Sequence, residues 1–85
     1  MTARSRDLLH ASKADEFAAW LCERFAWTRE PTKGIYEALR LRDPGGGVHV
    51  LCKRDRSDHL TIGWDTAKVI GPLVRVWMRE RRAEA

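Results

Sequence analysis

The chain has only two cysteines, Cys22 and Cys52, set 30 residues apart and without a Cys-x-x-Cys pair. Two such residues supply neither a disulfide framework nor a zinc ligand set, and both read as reduced, buried small hydrophobes. Long hydrophobic runs are also lacking: every apolar stretch is broken by charge well short of the roughly 20 residues a membrane helix requires, so no membrane partner is expected. The opening Met-Thr-Ala-Arg-Ser-Arg-Asp is charged, with no apolar region or small-residue cleavage site behind it, and so carries no secretory signal. A cytoplasmic protein is expected. There are no internal repeats, and the only low-complexity tract is Gly45-Gly46-Gly47. That tract lacks the following lysine and helix N-terminus of a phosphate-cradling loop, and it reads as a turn.

Eighty-five residues, 44% hydrophobic and 33% charged, suffice for one core and not two, since a chain of this size buries only about 60 to 65% of its unfolded surface. Four tryptophans supply much of that core. Sixteen basic residues against twelve acidic ones give +4 and a pI near 9.6, a balance that favours anionic partners. Up to Asp43 the count is eight basic to seven acidic, and from Pro44 onward it is eight to five, so the excess lies in the second half.

Ala14, Phe17, Ala18, Leu21 and Phe25 recur at helical spacing, which predicts an amphipathic helix with Ser12 as its N-cap and acids in its first turn. Leu8 and Leu9 fall off that apolar face, so residues 1–11 read as a separate arm, 12–82 as the domain and 83–85 as a tail. Pro31 and Gly34 mark a loop. Three strands follow, at about Ile35–Arg42, Val48–Arg54 and His59–Trp64. They are joined by Asp43-Pro44-Gly45-Gly46-Gly47 and Asp55-Arg56-Ser57-Asp58. Alternation then places Ile35, Leu39, Leu41, Val48, Val50, Cys52, Leu60, Ile62 and Trp64 on one face, covered by the helices. Gly71-Pro72 divides the last helical run into a stub at Asp65–Ile70 and a main helix from Pro72 to about Arg82, with Leu73, Val76, Trp77 and Val69 packed on the sheet. The expected architecture is a single α+β domain of order α-β-β-β-α: a three-stranded antiparallel sheet with both helices on one face.

That alternation leaves Tyr36, Arg40, Arg42, His49, Lys53, His59 and Thr61 on the open face. Cations there can neutralise phosphate, Tyr36 can stack a base and the imidazoles can add pH-sensitive contacts, the ingredients of nucleic-acid binding. A wet antiparallel face is the plainer alternative. Arg75, Arg79 and Arg82 form a second basic patch with Arg81, although cations in a last turn also complement the helix dipole. His49 and Cys52 point to opposite faces of one strand, and with His59 they match no zinc spacing. Asp43, Asp55, Asp58 and Asp65 sit at turns and caps, where local hydrogen bonds account for them. No metal, cofactor or catalytic residue is therefore assigned.

The order helix, three-stranded meander, helix resembles the double-stranded RNA-binding domain. That resemblance implies RNA contacts through the first helix, the loop Asp43–Gly47 and the opening of the last helix, where Asp65-Thr66-Ala67-Lys68 carries a single lysine. The segments Pro31-Thr32-Lys33-Gly34-Ile35-Tyr36-Glu37-Ala38-Leu39-Arg40, Lys53-Arg54-Asp55 and His59-Leu60-Thr61 look like small accessory proteins of bacteriophages, prophages and plasmids. Such a protein is expected to bind nucleic acid, or to inhibit a host-defence complex such as a CRISPR effector, as anti-CRISPR proteins do. A homodimer built on an exposed tryptophan or a free strand edge is a third expectation.

Overall fold

Ala14, Phe17, Ala18 and Leu21, the residues whose spacing calls for a helix, are the buried side of helix α1 (Ala14–Phe25). The computed structural model describes residues 9–53, 58–62 and 64–84. Phe25, expected on the same stripe, is instead half-exposed and meets the edge of Trp20 at 5.2 Å between ring centroids. Ser12 does not cap α1. It lies inside a 3-10 turn, Ala11–Lys13, whose cap is His10: Nδ1 of His10 accepts from the Ser12 amide at 3.2 Å.

After α1 the chain forms β1 (Thr28–Glu30), β2 (Glu37–Arg42), β3 (Val48–Cys52), β4 (Thr61–Ile62) and helix α2 (Trp64–Glu84). The strands are neighbours in sequence order and all antiparallel. The expected α+β order, a meander between two helices, is present as α1, β2–β4 and α2. The short strand β1 extends the sheet beyond it, pairing Thr28 with Arg42 and Glu30 with Arg40.

The inward set differs from the expected one in β3. Residues directly opposite on antiparallel strands share a face, and the loop Asp43–Gly47 closes on the pair Arg42 and Val48. That closure places Leu41 opposite His49 and Leu39 opposite Leu51, so His49 and Leu51 point into the core while Val48, Val50 and Cys52 point out. A bulge between Glu37 and Leu39 then shifts the pairing at the start of β2. Ile35 belongs to the preceding turn and is 79% exposed, not part of the inner face.

One apolar cluster joins Phe17, Leu21, Leu39, Leu41, Leu51, Leu60, Ile70, Val74 and Trp77 with Leu9. Leu9 comes from the segment expected to be a detached arm. Residues 9–11 lie against 58–60 instead, with Leu60 N–H donating to Leu9 O at 2.9 Å and Ala11 N–H to Asp58 O at 2.6 Å. Residues 1–8, 54–57, 63 and 85 lie outside the description, and with them Leu8 and most of the expected turn Asp55–Asp58.

The break expected at Gly71-Pro72 is absent, and α2 runs through Pro72 unbroken. A proline inside a helix forfeits one backbone hydrogen bond and crowds the carbonyl four residues earlier. Pro72 faces solvent, and Ile70 before it and Val74 and Trp77 after it are all buried in the same core, so packing holds both halves in one register. With that register Val69 is half-exposed and Leu73 only partly buried. The Trp77 ring meets Phe17 of α1 edge-on at 5.4 Å. No helix among the described residues is long and apolar enough to cross a membrane.

Candidate nucleic-acid interface

The open sheet face is not the basic surface that alternation implies. Arg40 and Arg42 do point outward, but each is matched by a carboxylate. Arg40 donates from Nε and Nη2 to the two oxygens of Glu37, both at 3.1 Å, and the two side chains are each only 16% exposed. The guanidinium, followed by the Lys33 backbone amide, holds the Glu37 carboxyl below its ordinary range, and Glu37 in turn raises Arg40. Arg42 bonds Glu30 of the neighbouring strand and also donates to Gly46 O at 3.1 Å. Outward-facing Val48, Val50 and Cys52 make the rest of β3's outer side apolar. Phosphate would have to compete there with bonded carboxylates.

The imidazoles are elsewhere. His49 is buried on the inner face, where its Nε2–H donates to Asp43 Oδ2 at 2.8 Å and its ring lies 5.0 Å from that of Trp27. Asp43 Oδ1 also accepts from the Gly47 amide at 2.9 Å. The His49 bond first, and the Gly47 amide next, hold the Asp43 carboxyl below its ordinary value. Glycine at 47 follows from this arrangement, since a β-carbon there would sit 2.8 Å from Asp43 Oδ2. His49 is thus a staple of the hairpin loop. His59 pairs with His10 in an isolated bridge, the two rings 5.1 Å apart, and His10 approaches Asp58 at 3.9 Å. The side chain of Thr61 is outside the description.

Tyr36 and Lys53 come together at the mouth of the β2–β3 hairpin, where Lys53 N–H donates to Tyr36 O at 2.6 Å. Tyr36 is 66% exposed. It stands beside Ile35 in a fully exposed loop that also carries Lys33.

Helix α2 supplies what the sheet does not. Taking 3.6 residues per turn, Lys68, Arg75, Arg79 and Arg82 fall within an arc of about 60°, a stripe about 21 Å long. All four are exposed, and the stripe lies opposite the buried Ile70, Val74 and Trp77. Among the described residues none of the four takes part in an ion pair or hydrogen bond. The other described side-chain charges at this end of α2 are engaged: Glu80 accepts from Trp20 Nε1 at 3.1 Å and from Arg24, bonds that hold its carboxyl below the ordinary range. Arg81 lies over the Trp77 ring at 4.8 Å and reaches Glu16 at 3.5 Å. Sequence reasoning included Arg75, Arg79 and Arg82 but missed Lys68 as their companion. The heptad spacing of 68, 75 and 82 carries that signal once Pro72 is allowed inside the helix.

Among the described residues no group of three histidine, cysteine or acidic side chains is placed to hold a metal ion. Comparison with protein-family models, with curated proteins and with solved structures finds no match to this chain.

Proposed function

We propose that this chain is a binding protein, not a catalyst, and that it holds nucleic acid through the solvent face of α2. The observation that carries this reading is the stripe Lys68, Arg75, Arg79 and Arg82, exposed and without a counter-charge among the described residues. Complementation of the helix dipole explains only cations in the last turn. Arg82 qualifies, but Arg75 is mid-helix, and Lys68 stands near the positive end, where a cation is disfavoured. Like charges three and four residues apart also repel by about 0.2 to 0.5 kcal/mol per pair. A stripe with no stabilising contact among the described residues is accounted for by an external polyanion. The sheet face has no such role here, because its arginines are already matched.

The test is binding of a fluorescent oligonucleotide across a salt series. The double variant Arg75→Ala/Arg79→Ala should weaken binding and make the log–log salt slope shallower by about 2, roughly one for each phosphate that is no longer neutralised. Arg40→Ala/Arg42→Ala should leave the slope unchanged. A slope unmoved by the α2 variant would overturn the proposal.

The setting we propose, on sequence resemblance, is a phage or mobile-element accessory protein in the cytoplasm. The free thiols of Cys22 and Cys52 accord with a reducing compartment. A second reading, antagonism of a host-defence ribonucleoprotein, is favoured by one observation: Ile35 and Tyr36 expose large apolar side chains side by side, as a protein-docking loop does. Nuclease-resistant co-purification with such a complex, lost in Ile35→Ser/Tyr36→Ser, would select it.

A further inference from the structure

We infer that α2 holds single-stranded nucleic acid and stacks one unpaired base on Arg81, in a hollow at the C-terminal end of the stripe. This rests on the reading just given and deepens it. Met78, Arg81 and Arg82 stand three and four residues apart, so their side chains are neighbours on one helix surface. They line, among the described residues, an open hollow of about 340 Å³. Small-ligand sites span about 300 to 1,000 Å³, so the hollow suits a group of nucleobase size. Arg82 belongs to the hollow and to the stripe alike. A strand whose phosphates follow Lys68, Arg75, Arg79 and Arg82 therefore brings a base beside it.

Arg81 supplies the platform. Its guanidinium lies over the Trp77 ring, 4.8 Å from the centroid, and reaches Glu16 at 3.5 Å. Trp77 is fixed in turn, buried and edge-on to Phe17. A planar cation set between an indole and a carboxylate is in place before a ligand arrives, so little ordering is lost on binding. The Arg81 side chain is still 42% exposed and lines the hollow, which leaves the side away from the indole to a second ring. Proteins that take single strands stack unpaired bases on guanidinium planes as they do on aromatic rings. Met78, 40% exposed, forms an apolar wall whose thioether adapts to a ring edge.

The two neighbouring arginines thus divide the work. Arg82 has no ion pair among the described residues and meets phosphate, whereas the Arg81 charge is answered by Glu16 and its plane meets the base. A base within a duplex already stacks on its neighbours and must be unpaired and unstacked to reach that plane. A single strand bears neither cost in full.

The experiment uses the full chain with two single strands of about 15 nucleotides, one of mixed non-pairing sequence and one abasic throughout, and a duplex of the mixed sequence, each across a salt series. The unmodified strand should bind about fivefold or more tightly than the abasic one, as one stacked base provides, with the same salt slope because the phosphates are the same. Arg81→Lys keeps the charge and removes the plane. It should bring the unmodified strand down to the abasic level with both slopes retained, which separates loss of stacking from loss of fold. Equal binding of the two strands by the wild-type chain overturns the base contact while leaving the α2 reading standing. An advantage that survives Arg81→Lys puts the stacking on another ring, such as Tyr36 or Trp64, and overturns the assignment to the hollow. A duplex bound more tightly than the unmodified strand, or as sensitive to Arg81→Lys, overturns the choice of single strand. Failure to bind any of the three overturns both this inference and the reading beneath it.

Discussion

Asp43 shows how one side chain sets the geometry around it. Its two carboxylate oxygens are spent on the Gly47 amide and the His49 ring, and its own amide and carbonyl close the loop on Gly47 and Gly46. A carboxyl whose folded value is lowered contributes stability that is present above its ordinary value and is lost as pH falls through the lowered one. Asp43 (ordinary value 3.8), Glu37 and Glu80 (each 4.5) are all lowered, so each adds to stability at neutral pH and withdraws it on acidification. Thermal melting temperature should therefore stay level down to about pH 5 and fall steadily below it. Asp43→Asn removes one contributor and should flatten that fall while lowering stability at pH 7. A variant with the wild-type acid profile would show that Asp43 carries none of the linkage.

Among the elements, α1 was legible from its apolar spacing and the β2–β3 hairpin from its proline and glycines, because in both cases one signal dominates. The β3 strand was not. Val48, His49, Val50, Leu51 and Cys52 alternate no polarity that counts: three apolar residues occupy one face, and a leucine and a histidine the other. What decides the face is the loop closure on Arg42 and Val48, together with the Asp43 and Trp27 contacts that make a buried imidazole tolerable. That choice in turn removes His49 from the open face. The basic sheet surface thus loses His49 to the phase of β3, while Arg40 and Arg42, outward as their alternation implies, are matched by Glu37 and Glu30. In α2 the error ran the other way: a propensity rule at Pro72 outweighed the continuous stripe of Ile70, Val74 and Trp77 that the helix obeys. The β3 register is testable by paired substitutions. Leu51→Ala should cost about 2 to 5 kcal/mol in denaturant unfolding, as emptied core sites do. Val50→Ala, on the outer face, should cost less than about 1 kcal/mol. Equal losses would place both residues in the same environment.

For the molecule as a whole, the core admits no division. Leu9, both helices, the two central strands and Leu60 contribute to one cluster, and no described element has a separate apolar centre. The helices are tied to each other by the Phe17–Trp77 contact and by Glu80, which holds Trp20 and Arg24 at once. A stripe of unmatched charge on α2 can be carried only if the opposite side of that helix is anchored this firmly, since on its own the helix would be weakened by its own repulsion. Unfolding should then be a single cooperative event, as in most domains of this size. Far-UV circular dichroism reports the helices, and fluorescence reports Trp27 at the sheet and Trp77 between the helices. In urea the two curves should superimpose, with one midpoint and an m-value on the order of 1 kcal/mol/M. Curves that separate would mean that the chain melts in parts, and the line of charge on α2 would then not be held by one cooperative core.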